Sequence, residues 1–207
     1  MKTQQSQTSQ AGAAFATLAS KSTKIALSAA TFRGNEGVDA SNGAHDFDFY
    51  FGRWQVHNER LTERLVGSSD WEHFEAIQQC RPLIDGYGNI DDFVTGWSGG
   101  FKGMTLRLFN RETRQWSIYW ASNQTGVLEP PVVGFFENGV GRFFGHDDQN
   151  GRPVLARFVW SDITAISARW EQALSTDDGT TWETNWRMHM TRIGHSTNRG
   201  RWLRSWQ

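Results

Sequence analysis

Trp182-Glu183-Thr184-Asn185-Trp186-Arg187-Met188-His189-Met190 decides the fold class. Trp182, Thr184, Trp186, Met188 and Met190 alternate with Glu183, Asn185, Arg187 and His189. A period of two sends the two sets to opposite faces of a strand, whereas a helix would need 3.6. Trp116-Ser117-Ile118-Tyr119-Trp120 repeats the pattern, with Ser117 and Tyr119 opposed to the larger apolar set.

Outward from these two runs, turn chemistry recurs at short intervals. It reads Asp85-Gly86, Ser98-Gly99-Gly100, Asn110-Arg111-Glu112-Thr113, Glu137-Asn138-Gly139, Asn150-Gly151 and Asp178-Gly179. Asn-Gly and Asp-Gly suit tight hairpins because both central residues tolerate positive φ. The segments between turns predict strands over 53–65, 70–80, 87–95, 101–109, 115–122, 131–137, 140–147, 153–161, 166–175 and 181–192. Phe47, Phe49, Tyr50 and Phe51 just before them read as a short helical turn or plug. Ten consecutive strands joined by hairpin-length loops must dispose of two sheet edges. Closing into an up-and-down barrel does so, and the hairpin order favours it over a two-sheet sandwich. The expected class is all-β, mostly antiparallel.

Composition narrows the function. The chain has 207 residues, 21 Lys+Arg against 22 Asp+Glu, and 11 Trp. So balanced a charge excludes the basic character of a nucleic-acid coat. The single cysteine, Cys80, excludes an internal disulfide framework, and no nearby His activates it as a nucleophile. No apolar run approaches the roughly 18 residues of a membrane span. The abundance of indole points to an aromatic-lined concavity. Residues 1–44, with four basic groups against two acids, read as a disordered or weakly helical leader. Residues 45–192 form the expected barrel domain and carry nine of the eleven Trp; 193–207 are a basic tail. A cytoplasmic location is expected, with a homodimer left open.

Several motifs bear on chemistry. Ser175-Thr176-Asp177-Asp178-Gly179-Thr180-Thr181-Trp182 matches the Asp-box, S-x-D-x-G-x-T-W, in every defining position. Its expected role is a stapled turn between the last two strands, with side chains tying the loop backbone. The acid pairs Asp91-Asp92, Asp147-Asp148 and Asp177-Asp178 read as solvated turns, since no calcium-loop spacing surrounds them. The histidines show no H-x-H or H-x-x-x-H spacing, so no metal site is expected. His189, on the last strand, is a lone candidate for heme iron. Arg107, Arg157, Arg169, Glu171, Glu183 and Arg187 fall inside predicted strands. Facing outward they are ordinary cross-strand pairs; facing inward they anchor a polar ligand group.

Gly52-Arg53-Trp54, at the start of the first strand, looks like the lipocalin G-x-W, whose ring plugs one end of the barrel. His45-Asp46-Phe47-Asp48-Phe49, Pro130-Pro131-Val132-Val133-Gly134 and Arg169-Trp170-Glu171-Gln172-Ala173 extend a resemblance over about residues 45–192. Together with the two alternating runs above, they resemble the DUF1579-type, lipocalin-like (calycin-like) bacterial family. That resemblance implies a calycin-like barrel and carries no catalytic residues with it.

The expected function is therefore binding of a small hydrophobic or amphipathic molecule inside the barrel, without a resident cofactor. Trp54, Trp116, Tyr119, Trp120, Trp170 and Trp186 are expected to supply ring surface, and Arg107, Arg157 and Glu171 orientation. The alternatives are a cofactor-free isomerase, cyclase or lyase using Glu171 or Glu183 as acid–base group, and a nitrobindin-like heme barrel through His189.

Overall fold

The computed structural model describes residues 43–194. The leader expected over 1–44 and the tail over 193–207 lie outside them, apart from two residues of each. A short 3₁₀ turn, Asp48–Tyr50, precedes ten strands. They are β1 (Gly52–Leu61), β2 (Trp71–Leu83), β3 (Gly88–Thr95), β4 (Lys102–Asn110) and β5 (Gln115–Ser122). Then follow β6 (Val132–Glu137), β7 (Val140–Gln149), β8 (Arg152–Ser161), β9 (Ser167–Ser175) and β10 (Glu183–Arg192). Each strand pairs antiparallel with its neighbour in sequence, and β1 pairs with β10 to close the barrel. The described residues contain no helix long and apolar enough to cross a membrane.

Every predicted strand is present, and the turn chemistry behaves as expected. At Asn138-Gly139 both φ angles are positive (51° and 76°), as they are at Asn150-Gly151 (56° and 82°). These two-residue turns set the β6–β7 and β7–β8 hairpins. Differences fall at ends. β1 stops at Leu61 rather than 65, because the chain turns through Leu65 at φ 61° and binds its amide to Glu183 Oε1 at 2.7 Å. β2 runs past Pro82 to Leu83.

Odd-numbered strands run from one end of the barrel to the other and even-numbered strands return. The first end is packed solid. Phe47 and Tyr50, from the aromatic turn, are fully buried there with Trp54, and Phe143, Trp160 and Trp116 surround them. Phe47 meets the edges of Trp116 (5.1 Å between centroids), Phe136 (4.9 Å) and Trp160 (5.7 Å). Trp54 donates Nε1–H to Tyr50 O at 2.8 Å, and Arg192 lays its guanidinium 4.2 Å from the indole centroid. The same arginine donates to Phe51 O at 2.5 Å, Ala165 O at 2.8 Å and Phe49 O. The last strand is thereby fastened across the plug. The Gly52-Arg53-Trp54 reading as an end plug matches this geometry.

Candidate functional site

A cavity of about 290 Å³ occupies the other end of the lumen. Its ring wall comprises Trp97, Phe101, Trp120, Phe158, Trp170 and Trp186; Met188 and Met190 add soft apolar surface. Small-molecule sites typically enclose roughly 300–1,000 Å³, so the volume suits a compact guest. Arg60, Arg64, Gln124, Thr125, Glu129, Asp147 and Gln149 stand toward the mouth, with Gln78, Arg107 and Trp160 deeper.

The walls are positioned by groups that sequence alone did not single out. Asn58, fully buried on β1, accepts from Trp186 Nε1 at 3.0 Å while its own amide donates to Val56 O (3.1 Å) and Phe74 O (3.3 Å). Trp97 sits in the β3–β4 connection, stacked on Phe74 at 4.6 Å and 11°. Its Nε1 donates to Glu72 and its amide to Thr95 Oγ1 at 3.1 Å. Trp120 lies across Gly103, where any Cβ would come within 2.0 Å of the ring. Only glycine leaves that ring its place.

The floor is ionic. Arg107 Nη1 contacts Asp91 Oδ2 at 2.5 Å and Asn89 Oδ1 at 3.0 Å, with both charged side chains almost completely buried. The guanidinium lies 5.1 Å from the Phe47 centroid, 5.0 Å from Tyr50 and 5.5 Å from Trp160. Burial works most strongly against its charge, but Asp91, joined by Tyr50 and Cys80, together holds the Arg107 pKa above its ordinary value. Asp91 also accepts from Gln78 Nε2 at 3.3 Å, and Gln78 Oε1 accepts from Tyr50 at 2.6 Å. The Asp91-Asp92 pair was expected in a solvated turn. It lies within β3, where alternation exposes Asp92 and turns Asp91 inward. Cys80, beside this network, points its thiol at Asn89 Oδ1 (3.6 Å), and burial pushes its pKa up, away from nucleophilic use.

The mouth is different. Arg60 places its guanidinium 4.9 Å from the Trp97 centroid and 5.3 Å from Trp186. Burial lowers its pKa, opposed only by Glu72. Arg64 is lowered to about 10, chiefly by burial and next by Arg60, against the opposing charges of Asp147, Glu183 and Glu129. Among the described residues neither arginine has a carboxylate within the 4.0 Å of an ion pair. Of the mouth acids, Asp147 and Asp148 are exposed and occupied by the β7–β8 turn, through the Asp148 amide (2.7 Å) and the Gly151 amide (2.6 Å). Burial raises the Glu129 pKa.

Arg107, Trp120, Trp170 and Trp186, four of the expected binding residues, line the cavity. Trp54 and Trp116 point inward too, but are spent in the plugged end. Tyr119, Arg157 and Glu171 require correction, since the register sends them to the outer face. Tyr119 pairs with outward Leu106, and Arg157 covers the Trp182 ring at 4.4 Å. Glu171 sits between Arg169 (2.7 Å) and Arg187 (3.3 Å) on the outer wall, and Glu183 holds the Leu65 amide at the rim. Neither carboxylate proposed for acid–base work faces the cavity. His189 is exposed on the outer wall opposite His57, and among the described residues no histidine lines the cavity, so His189 is not placed to hold a heme iron there.

The Asp-box turn forms as read. Ser175 Oγ accepts from the Gly179 amide (2.8 Å) and donates to Asp177 Oδ1 (2.7 Å). Asp177 accepts from the Thr181 hydroxyl (2.6 Å) and amide (2.9 Å), and Trp182 Nε1 donates to Gly179 O (2.9 Å). The staple stiffens the rim between β9 and β10.

Compared with known protein families and with curated proteins, the chain matches none.

Proposed function

We propose that this barrel binds a small amphipathic molecule, flat and apolar in its body and carrying an anionic oxygen group. The body would lie among Trp97, Phe101, Trp120, Trp170 and Trp186, and the anion would sit at the mouth against Arg60 and Arg64. One observation carries the reading: two adjacent guanidinium groups, partly withdrawn from water and without an ion-pair partner among the described residues, border an open aromatic cavity. A carboxylate there would restore the interaction that burial has removed, and charge-assisted hydrogen bonds to arginine are among the stronger polar contacts. The outward placement of Glu171 favours binding over the acid–base alternative.

The test is indole fluorescence titrated with naphthylacetate and with naphthylacetamide, its neutral counterpart. Tighter binding of the acid by about tenfold, lost in Arg60→Gln and Arg64→Gln, is expected; that is about 1.4 kcal/mol. Equal binding of both compounds, or no quenching at high micromolar concentration, would refute the reading.

A further inference from the structure

The outer wall holds a second constellation, independent of the cavity. Alternation along β1 turns His57 and Glu59 to the same outer face, and the β1–β2 register sets His73 opposite Glu59 and Glu75 opposite His57. The two imidazoles stack, with centroids 5.7 Å apart and planes inclined by 24°. One ligand atom from each of His57, Glu59 and His73 lies within 4.8 Å of the other two. The sequence conceals this set because its histidines are joined across strands rather than by H-x-H spacing.

We propose that His57, Glu59 and His73 form a surface site for a divalent transition-metal ion of the zinc type. Two imidazoles and one carboxylate suit borderline ions such as zinc or cobalt; calcium and magnesium prefer all-oxygen shells. Zinc bonds of about 2.0–2.2 Å place tetrahedral ligand atoms about 3.3 Å apart. The present spacing therefore closes by small rotations of side chains that are exposed or half-buried.

The surroundings support the assignment. His57 Nδ1 lies 2.8 Å from Glu75 Oε1. A neutral ring donating through Nδ1 to that carboxylate keeps its Nε2 lone pair for a metal, the usual outer partner of a ligating histidine. Glu59 is held by Arg187 only at 3.4 Å, and Arg187 retains Glu171 at 3.3 Å and the Trp71 ring at 4.4 Å if Glu59 turns away. Arg169 is already bound to Glu171, while His189 faces His57 from β10. Three protein ligands leave coordination positions for water, so the site would be open.

The experiment is calorimetric titration of zinc into the full chain in a non-chelating buffer, for wild type, His57→Ala, His73→Ala and the control His146→Ala. Cobalt(II) absorption in the visible range reports the coordination geometry separately. One saturable equivalent in wild type and in His146→Ala, weakened at least tenfold in each cluster variant, is expected. Tetrahedral cobalt bands should vanish in the cluster variants. Thermal unfolding without metal should be nearly unchanged in the variants, and zinc should raise the midpoint of wild type alone among the cluster series. Absence of saturable binding, or equal binding by wild type and both cluster variants, overturns the proposal.

Discussion

The two ends of the barrel are built from the same residue types and come to opposite results. At the blocked end, aromatic rings pack on one another both edge to face and stacked, because the Phe47–Tyr50 turn is threaded in among Trp116, Phe136, Phe143 and Trp160. At the open end the rings border the cavity, with Arg60 lying over Trp97 and Trp186. Trp97 rests on Phe74, Trp120 on Phe101 and Gly103, and Trp170 meets the edge of Trp186 at 5.9 Å. Among the described residues nothing plays the part of the plug there. Whether a tryptophan is core or binding surface is thus decided by what lies across the lumen from it. Arg107 marks the boundary, its guanidinium beside plug rings and its side chain lining the cavity.

The largest effect should come from breaking that boundary. Arg107→Met strands the Asp91 carboxylate in the core and should cost about 3–5 kcal/mol in urea unfolding. Pairing it with Asp91→Leu should recover much of the loss, whereas independent, additive losses would mean the floor is held by packing alone. Next, Gly103→Ala drives a methyl group into the Trp120 ring. It should cost about 1–3 kcal/mol and reduce naphthylacetate quenching, a coupling between backbone space and binding with no counterpart at the plugged end. Trp120→Leu, at a half-buried open-end ring, should lower stability by about 1 kcal/mol while weakening ligand binding about tenfold. Trp54→Ala should show the reverse balance, losing about 3–5 kcal/mol of stability.

The smallest effect concerns the rim. Hydrogen bonds from the Thr181 hydroxyl and amide, then from Ser175, lower the Asp177 pKa from 3.8 to about 2. A depressed carboxylate stabilises the fold above its ordinary pKa and loses that contribution as pH falls toward its folded value. The acid limb of the thermal midpoint between about pH 4 and pH 2 should therefore be shallower in Asp177→Asn than in wild type. An identical limb in both proteins would show that the staple is not coupled to folding.

The barrel was legible because its causes are local. Alternation and Asn-Gly turns act over a few residues, and they mark hairpins wherever they occur. The site was only partly legible because its causes span the lumen. Asp91-Asp92 looks like a solvated pair until β4 sets Arg107 beside it. Period two also leaves the inward parity of each strand undecided, so Arg157 and Glu171 were as eligible as Arg107 until the register chose. Trp97 lies in a connection where no periodicity applies, and Arg60 and Arg64 mark the mouth only once the cavity has a mouth. Asn58 could have been suspected, as a polar residue on the same parity as Trp54 and Val56.

The seam between β1 and β10 has a consequence for biosynthesis. Every other pairing joins neighbours in sequence, but Arg192 reaches the Phe51 carbonyl across 141 residues. During translation β1 emerges first and acquires its second partner only when the final strand has been made. Until then its amide and carbonyl row is a template open to other nascent chains. A chain shortened before β10 would retain two such rows for good, and should be lost to intermolecular association rather than persist as a smaller barrel.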